Sequence, residues 1–145
     1  MCGISGIVAS RHVNSAAVEA MNTLIRHRGP DGEGVWQSAD RQVVLGHRRL
    51  AVIDPTPAGA QPMVSPSGDL VLTFNGEIYN YLELRSDLKA AGSEFSSQSD
   101  SEVLLQGYAR YGESVLQHLN GMFAFAIYDA ARGQLFCARD RFGEK

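Results

Sequence analysis

The chain has 145 residues, with 13 Lys and Arg against 16 Asp and Glu, so its formal charge is −3. This length fits one domain, and the nearly balanced charge gives no electrostatic reason to bind nucleic acid or an anionic membrane. Because 44% of the residues are hydrophobic and 20% are charged, we expect a folded core rather than global disorder.

Membrane insertion and secretion are also disfavoured. The longest apolar stretch, 121–128, is far shorter than the roughly 18 residues that suggest a membrane span. The first basic residue is Arg11, so the N-terminus lacks the basic region of a secretory signal. Two cysteines, Cys2 and Cys137, are too few for a disulfide framework. We therefore expect a cytoplasmic protein.

The first half of the chain is predicted to be rich in strands. An apolar run over 4–9 predicts a buried strand. Apolar residues at helical spacing then predict a helix from Ser15 to Arg26 or His27, stopped by the turn signal at 29–32. Further strands, separated by polar and Pro-rich loops, are predicted at 34–37, 43–47 and 70–75.

The second half combines helices with a hairpin. Helical spacing predicts a helix from Tyr81 that ends at Gly92, and Ser99 with Glu102 is the capping-box signature of another. The remaining predicted elements are a short helix at 113–119 and two hairpin strands at 122–128 and 135–138. Strands and helices that mix without strict alternation favour an α+β layered sandwich.

Cys2 is the first candidate catalytic residue. If Met1 is removed, the thiol and the α-amine of the chain belong to one residue. An α-amine titrates near about 7.7–8.0 and a thiol near about 8.5, so the amine can accept the thiol proton at neutral pH. One residue would then supply both nucleophile and base for acyl transfer. A cysteine at position two can be an accident, but Gly3 leaves room for a substrate beside a rigid strand.

The segment Asn75-Gly76-Glu77 follows an apolar run. A tetrahedral intermediate needs donors around its oxyanion, and an Asn side-chain amide with a neighbouring backbone N–H can supply two. Asn-Gly is also typical of hairpin turns, and from the dipeptide alone we favour the turn.

Arg49 and Asp100 are candidates for gripping the two charged ends of an amino acid. A guanidinium binds a carboxylate in a bidentate manner, and a carboxylate binds an ammonium group. Each residue has a structural alternative. Arg49 belongs to the basic trio 47–49, which is typical of a solvated face, and Asp100 follows a helix-capping residue.

Taken together, the motifs resemble class II glutamine amidotransferases over nearly the whole chain. The amino-acid sequences of these motifs are similar to those of the glutaminase domain of glutamine-hydrolysing asparagine synthetases. The motifs that carry the resemblance are Met-Cys-Gly-Ile at 1–4, Arg-Gly-Pro-Asp-Gly at 28–32, His-Arg-Arg-Leu at 47–50, Phe-Asn-Gly-Glu-Ile-Tyr-Asn at 74–80, Ser-Asp at 99–100 and Gly-Met-Phe-Ala-Phe-Ala at 121–126.

The resemblance implies an N-terminal-nucleophile hydrolase fold, a four-layer αββα sandwich. It assigns Cys2 as the nucleophile with its α-amine as base, and Asn75 with the Gly76 N–H as the oxyanion hole. The implied residues for binding L-glutamine are Arg49 for the α-carboxylate and Asp100 with Glu77 for the α-amine. No role is implied for His27, His47 or His118, and Cys137 is expected to be a small buried hydrophobe.

The resemblance also implies a longer protein. We expect residues 1–145 to be an amidotransferase domain that is truncated at its C-terminus, with a covalently linked synthetase domain absent. No cofactor or metal site is expected in this segment, whereas ATP and Mg are expected in the synthetase domain, which amidates aspartate. Alternatives are another amide acceptor, such as a sugar or a peptide, and a non-catalytic truncated module. A homodimer remains an open expectation.

Overall fold

Seven strands and three α-helices make up the fold in the computed structural model, which describes residues 1–145. The strands are β1 Gly3–Val8, β2 Gly32–Gln37, β3 Val43–Arg49, β4 Met63–Val64, β5 Leu70–Ile78, β6 Gly121–Asp129 and β7 Gln134–Arg139. The helices are α1 Ala16–Leu24, α2 Tyr81–Ala90 and α3 Asp100–Tyr111. Short 3₁₀ helices occupy Arg26–Arg28, Pro57–Gly59 and Gly112–Gln117.

The strands form two antiparallel sheets, ordered β1-β3-β2 and β4-β5-β6-β7. The sheets pack face to face, and the Thr73 hydroxyl on β5 donates to the Gly46 carbonyl on β3 over 3.0 Å. Helix α1 packs on β1 and β3, whereas α3 packs on β5 and on α2. This gives the predicted four-layer αββα order. None of the helices has the length and apolar character needed to cross a membrane.

The alternation of β5 divides its side chains between two environments. Leu72, Phe74 and Ile78 face α2 and α3 and belong to the main hydrophobic core. Burying each such side chain contributes roughly 1.5–3 kcal/mol relative to leaving it exposed. Thr73 and Asn75 point the other way, toward the first sheet. The packing of the core therefore fixes which side chains of β5 are presented to the space between the sheets.

The helix boundaries differ slightly from the prediction. Helix α1 ends at Leu24, and the predicted continuation is the 3₁₀ helix Arg26–Arg28. The short helix predicted at 113–119 is the 3₁₀ helix Gly112–Gln117. The two-residue strand β4 was not predicted because it is too short to show an alternating pattern.

The dipeptide Asn75-Gly76 is not a hairpin turn, so the interpretation drawn from the dipeptide alone is wrong. Both residues lie inside β5, where Asn75 is opposite Ala124 and Gly76 is opposite Phe123 on β6. A Cβ atom at Gly76 would lie 2.2 Å from the Met122 carbonyl oxygen. The glycine is therefore needed for the close approach of two strands rather than for a turn.

Cys137 is exposed, which contradicts the expectation of a buried hydrophobe. Its neighbours Phe136 and Ala138 pack against the main core. Alternation along the edge strand β7 therefore directs Cys137 to the opposite face. Partial burial of the thiol still raises its pKa.

Candidate active site

A cavity of about 260 Å³ lies beside the ends of β3 and β5. The structure brings all six predicted site residues to its lining, although they come from separate segments of the chain. They are Cys2, Arg49, Asn75, Gly76, Glu77 and Asp100.

Cys2 immediately precedes β1, next to the C-terminal end of β3. The antiparallel pairing of Gly3 with Arg48 places it there. Its Sγ accepts a hydrogen bond from the Leu50 N–H at 3.4 Å and lies 3.6 Å from the Leu50 carbonyl oxygen. The Arg28 Nε donates to the Cys2 carbonyl oxygen over 3.0 Å. Both the thiol and the backbone of Cys2 are thus held at the cavity.

The segment that includes Arg28 supports the site in a way that sequence reasoning missed. The sequence predicts a helix stop here, and the motif at 28–32 contributes to the resemblance, but neither indicates a contact with Cys2. Besides the Arg28 bond to Cys2, the Asp31 carboxylate accepts the Ala51 N–H at 2.9 Å. A Cβ atom at Gly29 would lie 2.4 Å from the backbone of β3. Nothing in the local pattern of 28–32 indicates which strand this segment contacts. Only its place in a motif of the family resemblance could have pointed to a role in the site.

One edge of β5 faces away from β6. The Tyr79 N–H, one residue past the strand, donates to the Asn120 carbonyl oxygen at 2.8 Å, on the side of β6. Backbone groups alternate along a strand, so the N–H groups of Phe74, Gly76 and Ile78 point to the opposite side.

Two of these three N–H groups have side-chain acceptors. The Ile78 N–H donates to Asp100 Oδ2 over 3.0 Å, and the Phe74 N–H donates to Gln61 Oε1 over 2.7 Å. The Gly76 N–H between them bonds to no side chain, and Gly76 lines the cavity. A backbone donor is thereby left available to an incoming ligand.

Asn75 is 8% exposed and lines the cavity. It lies on the face of β5 that is turned away from the main hydrophobic core and toward the first sheet. Its side chain lies on the same face as Thr73, which reaches across to Gly46. The side-chain amide of Asn75 makes no hydrogen bond within the protein. Asn75 and Gly76 therefore offer two adjacent donors to one space.

Arg49 ends β3, and its guanidinium is fixed by a loop rather than free in solvent. One nitrogen donates to the Thr56 carbonyl oxygen over 2.9 Å, and another donates to the Asp54 carbonyl oxygen. A Cβ atom at Gly59 would lie 2.4 Å from the second nitrogen. The predicted alternative of a solvated face is wrong, because the side chain is clamped at the cavity.

The Asp54 carboxylate links that loop to the start of α3. It accepts hydrogen bonds from the Thr56 N–H at 2.9 Å and hydroxyl at 2.6 Å, and from the Gln98 N–H at 2.8 Å. These bonds, led by that of the Thr56 hydroxyl, lower the pKa of Asp54. Asp54 lies in an irregular loop without periodicity, so the sequence did not indicate it.

Asp100 is the first residue of α3 and is 5% exposed. Burial, with a smaller contribution from the charge of nearby Glu77, raises the pKa of its carboxyl to about 6 against the opposing effect of the Ile78 N–H bond. Asp100 therefore occupies the predicted helix-start position and lines the cavity, while its role in binding stays a prediction.

The capping box before α3 is only half formed. Ser99 Oγ accepts the Glu102 N–H at 3.2 Å, as in a standard N-cap. The Glu102 carboxylate bonds instead to the backbone N–H groups of Ser96 at 2.8 Å and Ser97 at 2.7 Å. It thus fixes the loop that delivers Asp100 to the cavity.

The histidines lie outside the cavity lining. His47 is fully buried, and its Nε2 lies 3.0 Å from the Phe74 carbonyl oxygen. Burial lowers its pKa to about 4, so the ring is neutral near pH 7 and Nε2 carries the proton. His47 therefore connects β3 with β5 as a structural residue.

The comparisons with known proteins agree with this architecture. Two sheets enclosed by helices, with a cysteine at the start of the first strand, define an N-terminal-nucleophile hydrolase fold. The chain belongs to the glutamine amidotransferase domain family, whose model matches residues 1–145.

The curated relatives are much longer than this chain. It is 43% identical to the glutamine-hydrolyzing asparagine synthetase 3 of Bacillus subtilis, covering 100% of this chain and 24% of that protein. It is 42% identical to the glutamine-hydrolyzing asparagine synthetase 1 of the same organism, covering 100% and 23%. It is also 41% identical to Amidase chry2 of Gibberella zeae, covering 100% and 23%. The chain thus spans about a quarter of the length of these relatives.

Two solved structures share the fold at low sequence identity. A glutamine phosphoribosylpyrophosphate amidotransferase from B. subtilis superposes with a TM-score of 0.78 at 23% identity, covering 97% of this chain and 37% of that chain. An allosteric regulatory enzyme of purine biosynthesis gives a TM-score of 0.82 at 22% identity, covering 99% and 38%.

Proposed function

We propose that this site hydrolyses L-glutamine to glutamate and ammonia through a thioester on Cys2. The observation that carries the proposal is the convergence on one cavity of a thiol, two hydrogen-bond donors without partners and a pair of opposite charges. Release of glutamate from glutamine by the purified protein tests it. Failure to release glutamate would favour a non-catalytic module.

The reaction begins with the α-amine of Cys2, which is free once Met1 is removed. The amine takes the thiol proton, and Sγ attacks the side-chain amide carbon of glutamine. The oxyanion accepts hydrogen bonds from the Asn75 amide and the Gly76 N–H. As the C–N bond breaks, the ammonium of Cys2 returns the proton and ammonia leaves. Water then hydrolyses the thioester to glutamate and regenerates the thiol.

The two charged ends of glutamine match two oppositely charged side chains of the cavity, Arg49 and Asp100. The guanidinium of Arg49 still has unused N–H groups for the α-carboxylate after bonding to the loop carbonyls. Asp100, with Glu77 beside it, would bind the α-ammonium group. Asp54 connects the loop that clamps Arg49 to the residues just before Asp100. The bond between Asp54 and Gln98 therefore helps set the distance between Arg49 and Asp100.

Replacing Arg49 with lysine is expected to raise the KM for glutamine at least about tenfold. Lysine keeps the charge but cannot bond the loop and the α-carboxylate through one planar group. Steady-state hydrolysis measures the effect, and Arg132→Lys is the matched control because Arg132 is exposed and pairs only with Asp129. An unchanged KM in Arg49→Lys would remove Arg49 from the binding site.

The KM for glutamine is expected to rise as pH falls through about 6, because the pKa of Asp100 is about 6. Only the ionised carboxylate attracts the ammonium group, so protonation weakens binding by up to about tenfold per pH unit. Initial rates between about pH 5 and 8 measure this dependence. Asp100→Asn should raise KM at all these pH values and abolish the inflection near pH 6. If Asp100→Asn retains the inflection, another group causes it.

The ammonia would serve a linked synthetase domain that uses ATP and Mg to amidate aspartate. The resemblance to asparagine synthetases supports this acceptor, and the comparable identity to Amidase chry2 is why a second acceptor remains a candidate. We also propose a cytoplasmic location, because the reducing cytosol keeps cysteine thiols free. Glutamine labelled with ¹⁵N in its amide decides between the acceptors. In a protein that carries the linked synthetase domain, supplied with aspartate and ATP, the label should appear in asparagine; label in another amide would support the alternative.

A further inference from the structure

Gln61 is a buried polar residue to which the reaction steps above give no role. It is 8% exposed and lies in the loop before β4. Its Oε1 accepts the Phe74 N–H at 2.7 Å, and its Nε2 donates to Ser101 Oγ over 3.1 Å. Because a backbone N–H can only donate, the bond to Phe74 fixes which end of the amide carries the oxygen.

These bonds take the place of a missing strand. Strand β4 is only two residues long and pairs with the beginning of β5, so no strand covers the rest of that edge. Gln61 accepts the Phe74 N–H there, and His47 Nε2 lies 3.0 Å from the Phe74 carbonyl oxygen. Both polar groups of Phe74 are therefore held by side chains, two residues before the free Gly76 N–H.

Gln61 is itself held on two sides. Ser101, which bonds its Nε2, directly follows Asp100 in α3. The backbone of Gln61 lies close against β2, where a Cβ atom at Gly34 would lie 2.2 Å from the Gln61 carbonyl oxygen. A side chain anchored to a second sheet and a helix can impose a fixed position on the edge of β5.

We infer that Gln61 is a positioning residue that holds the edge of β5 so that the Gly76 N–H points at the developing oxyanion. The inference rests on the proposed function. Gln61 also lines the cavity, but because its amide is bonded to Phe74 and Ser101, we assign it a role through the backbone of Phe74 rather than on the reacting atoms. Without its acceptor, the buried Phe74 N–H must find water or another partner, and β5 shifts. The bond to Ser101 serves to orient the amide.

The test compares substitutions that remove different ends of the amide in the purified protein. Gln61→Met has a similar length but bonds to neither partner, and kcat for glutamine is expected to fall about 10²-fold, as for a donor misplaced by about 1 Å. The Kd for glutamate, measured by calorimetry, should change less than about threefold because Arg49 and Asp100 remain in place. Gln117→Met, at an exposed glutamine, is the matched control.

Two further variants separate the two bonds. Gln61→Glu keeps an acceptor for the Phe74 N–H, and Ser101→Ala removes only the second bond. Both are expected to keep kcat within about tenfold of the wild-type value, since neither abolishes the contact with β5. If Gln61→Met does not fold, Gln61→Asn replaces it, because its amide is one methylene shorter and falls short of Phe74.

Two results would overturn the inference. One is a Gln61→Met protein with kcat within about threefold of wild type. The other is a parallel loss of kcat and glutamate affinity, which would indicate a general structural role. Failure of the proposed function is distinguishable, because then the wild-type protein itself would release no glutamate from glutamine.

Discussion

Cys2→Ala is expected to lower the rate of glutamine hydrolysis by at least about 10³-fold, because it removes the only group that can form the thioester. Under the proposed function, the remaining groups bind glutamine and polarise its amide, so affinity for glutamate should survive. Activity within about tenfold of the wild-type rate would end the proposal that Cys2 is the nucleophile. The matched control is Cys137→Ala, which should leave the rate unchanged.

The nucleophile also requires a processed N-terminus. Met1 precedes Cys2, and its peptide bond occupies the amine that would act as base. We expect the intact mass of the active protein to correspond to loss of Met1. A glutamine analogue carrying a diazo-ketone should label Cys2 and spare Cys137. Cys137 is the more exposed thiol, but its pKa is raised by partial burial, and it has no substrate site beside it.

The order of layers and the candidate residues could be predicted because their signals are local or carried by whole motifs. Helical spacing and the Ser99 cap predicted α3, and an apolar run placed Cys2 at the start of a strand. The six candidate residues lie on one cavity as the resemblance implied. Their individual roles remain predictions for mutagenesis.

The rest could not be predicted because it depends on contacts between distant segments. Asn75-Gly76 has a strong local preference for a turn, and only the pairing with β6 keeps it extended. Gln61 lies in an irregular loop, where no periodicity indicates which backbone group a side chain will reach. Cys137 lies on an edge strand, where alternation alone does not distinguish a covered face from an exposed one.

Side chains, rather than a neighbouring strand, support the edge of β5 that faces away from β6. A strand edge normally bonds to another strand, and here side chains from three separate segments serve instead. Gln61, His47 and Asp100 bond to Phe74 and Ile78, on either side of Gly76. Pairing of this edge with a full strand would occupy the Gly76 N–H, so the shortness of β4 leaves this donor without a backbone partner.

Asn75→Ala is expected to lower kcat for glutamine about 10²–10³-fold and to change KM less than about threefold. The Asn75 amide bonds to nothing in the resting protein, so its removal leaves the fold intact. Under the proposed function its donor acts on the oxyanion, which develops only in the transition state, and a group of that kind affects kcat rather than substrate affinity.

The Gly76 N–H remains in Asn75→Ala, so this variant should retain more activity than Cys2→Ala. Asn75→Asp should be impaired at least as severely, because a carboxylate repels the oxyanion that the amide stabilises. Asn120→Ala is the matched control, since that side chain is exposed and lies outside the cavity. If Asn75→Ala raises KM and leaves kcat at the wild-type value, Asn75 binds the substrate rather than its transition state. A different group would then have to act with the Gly76 N–H on the oxyanion.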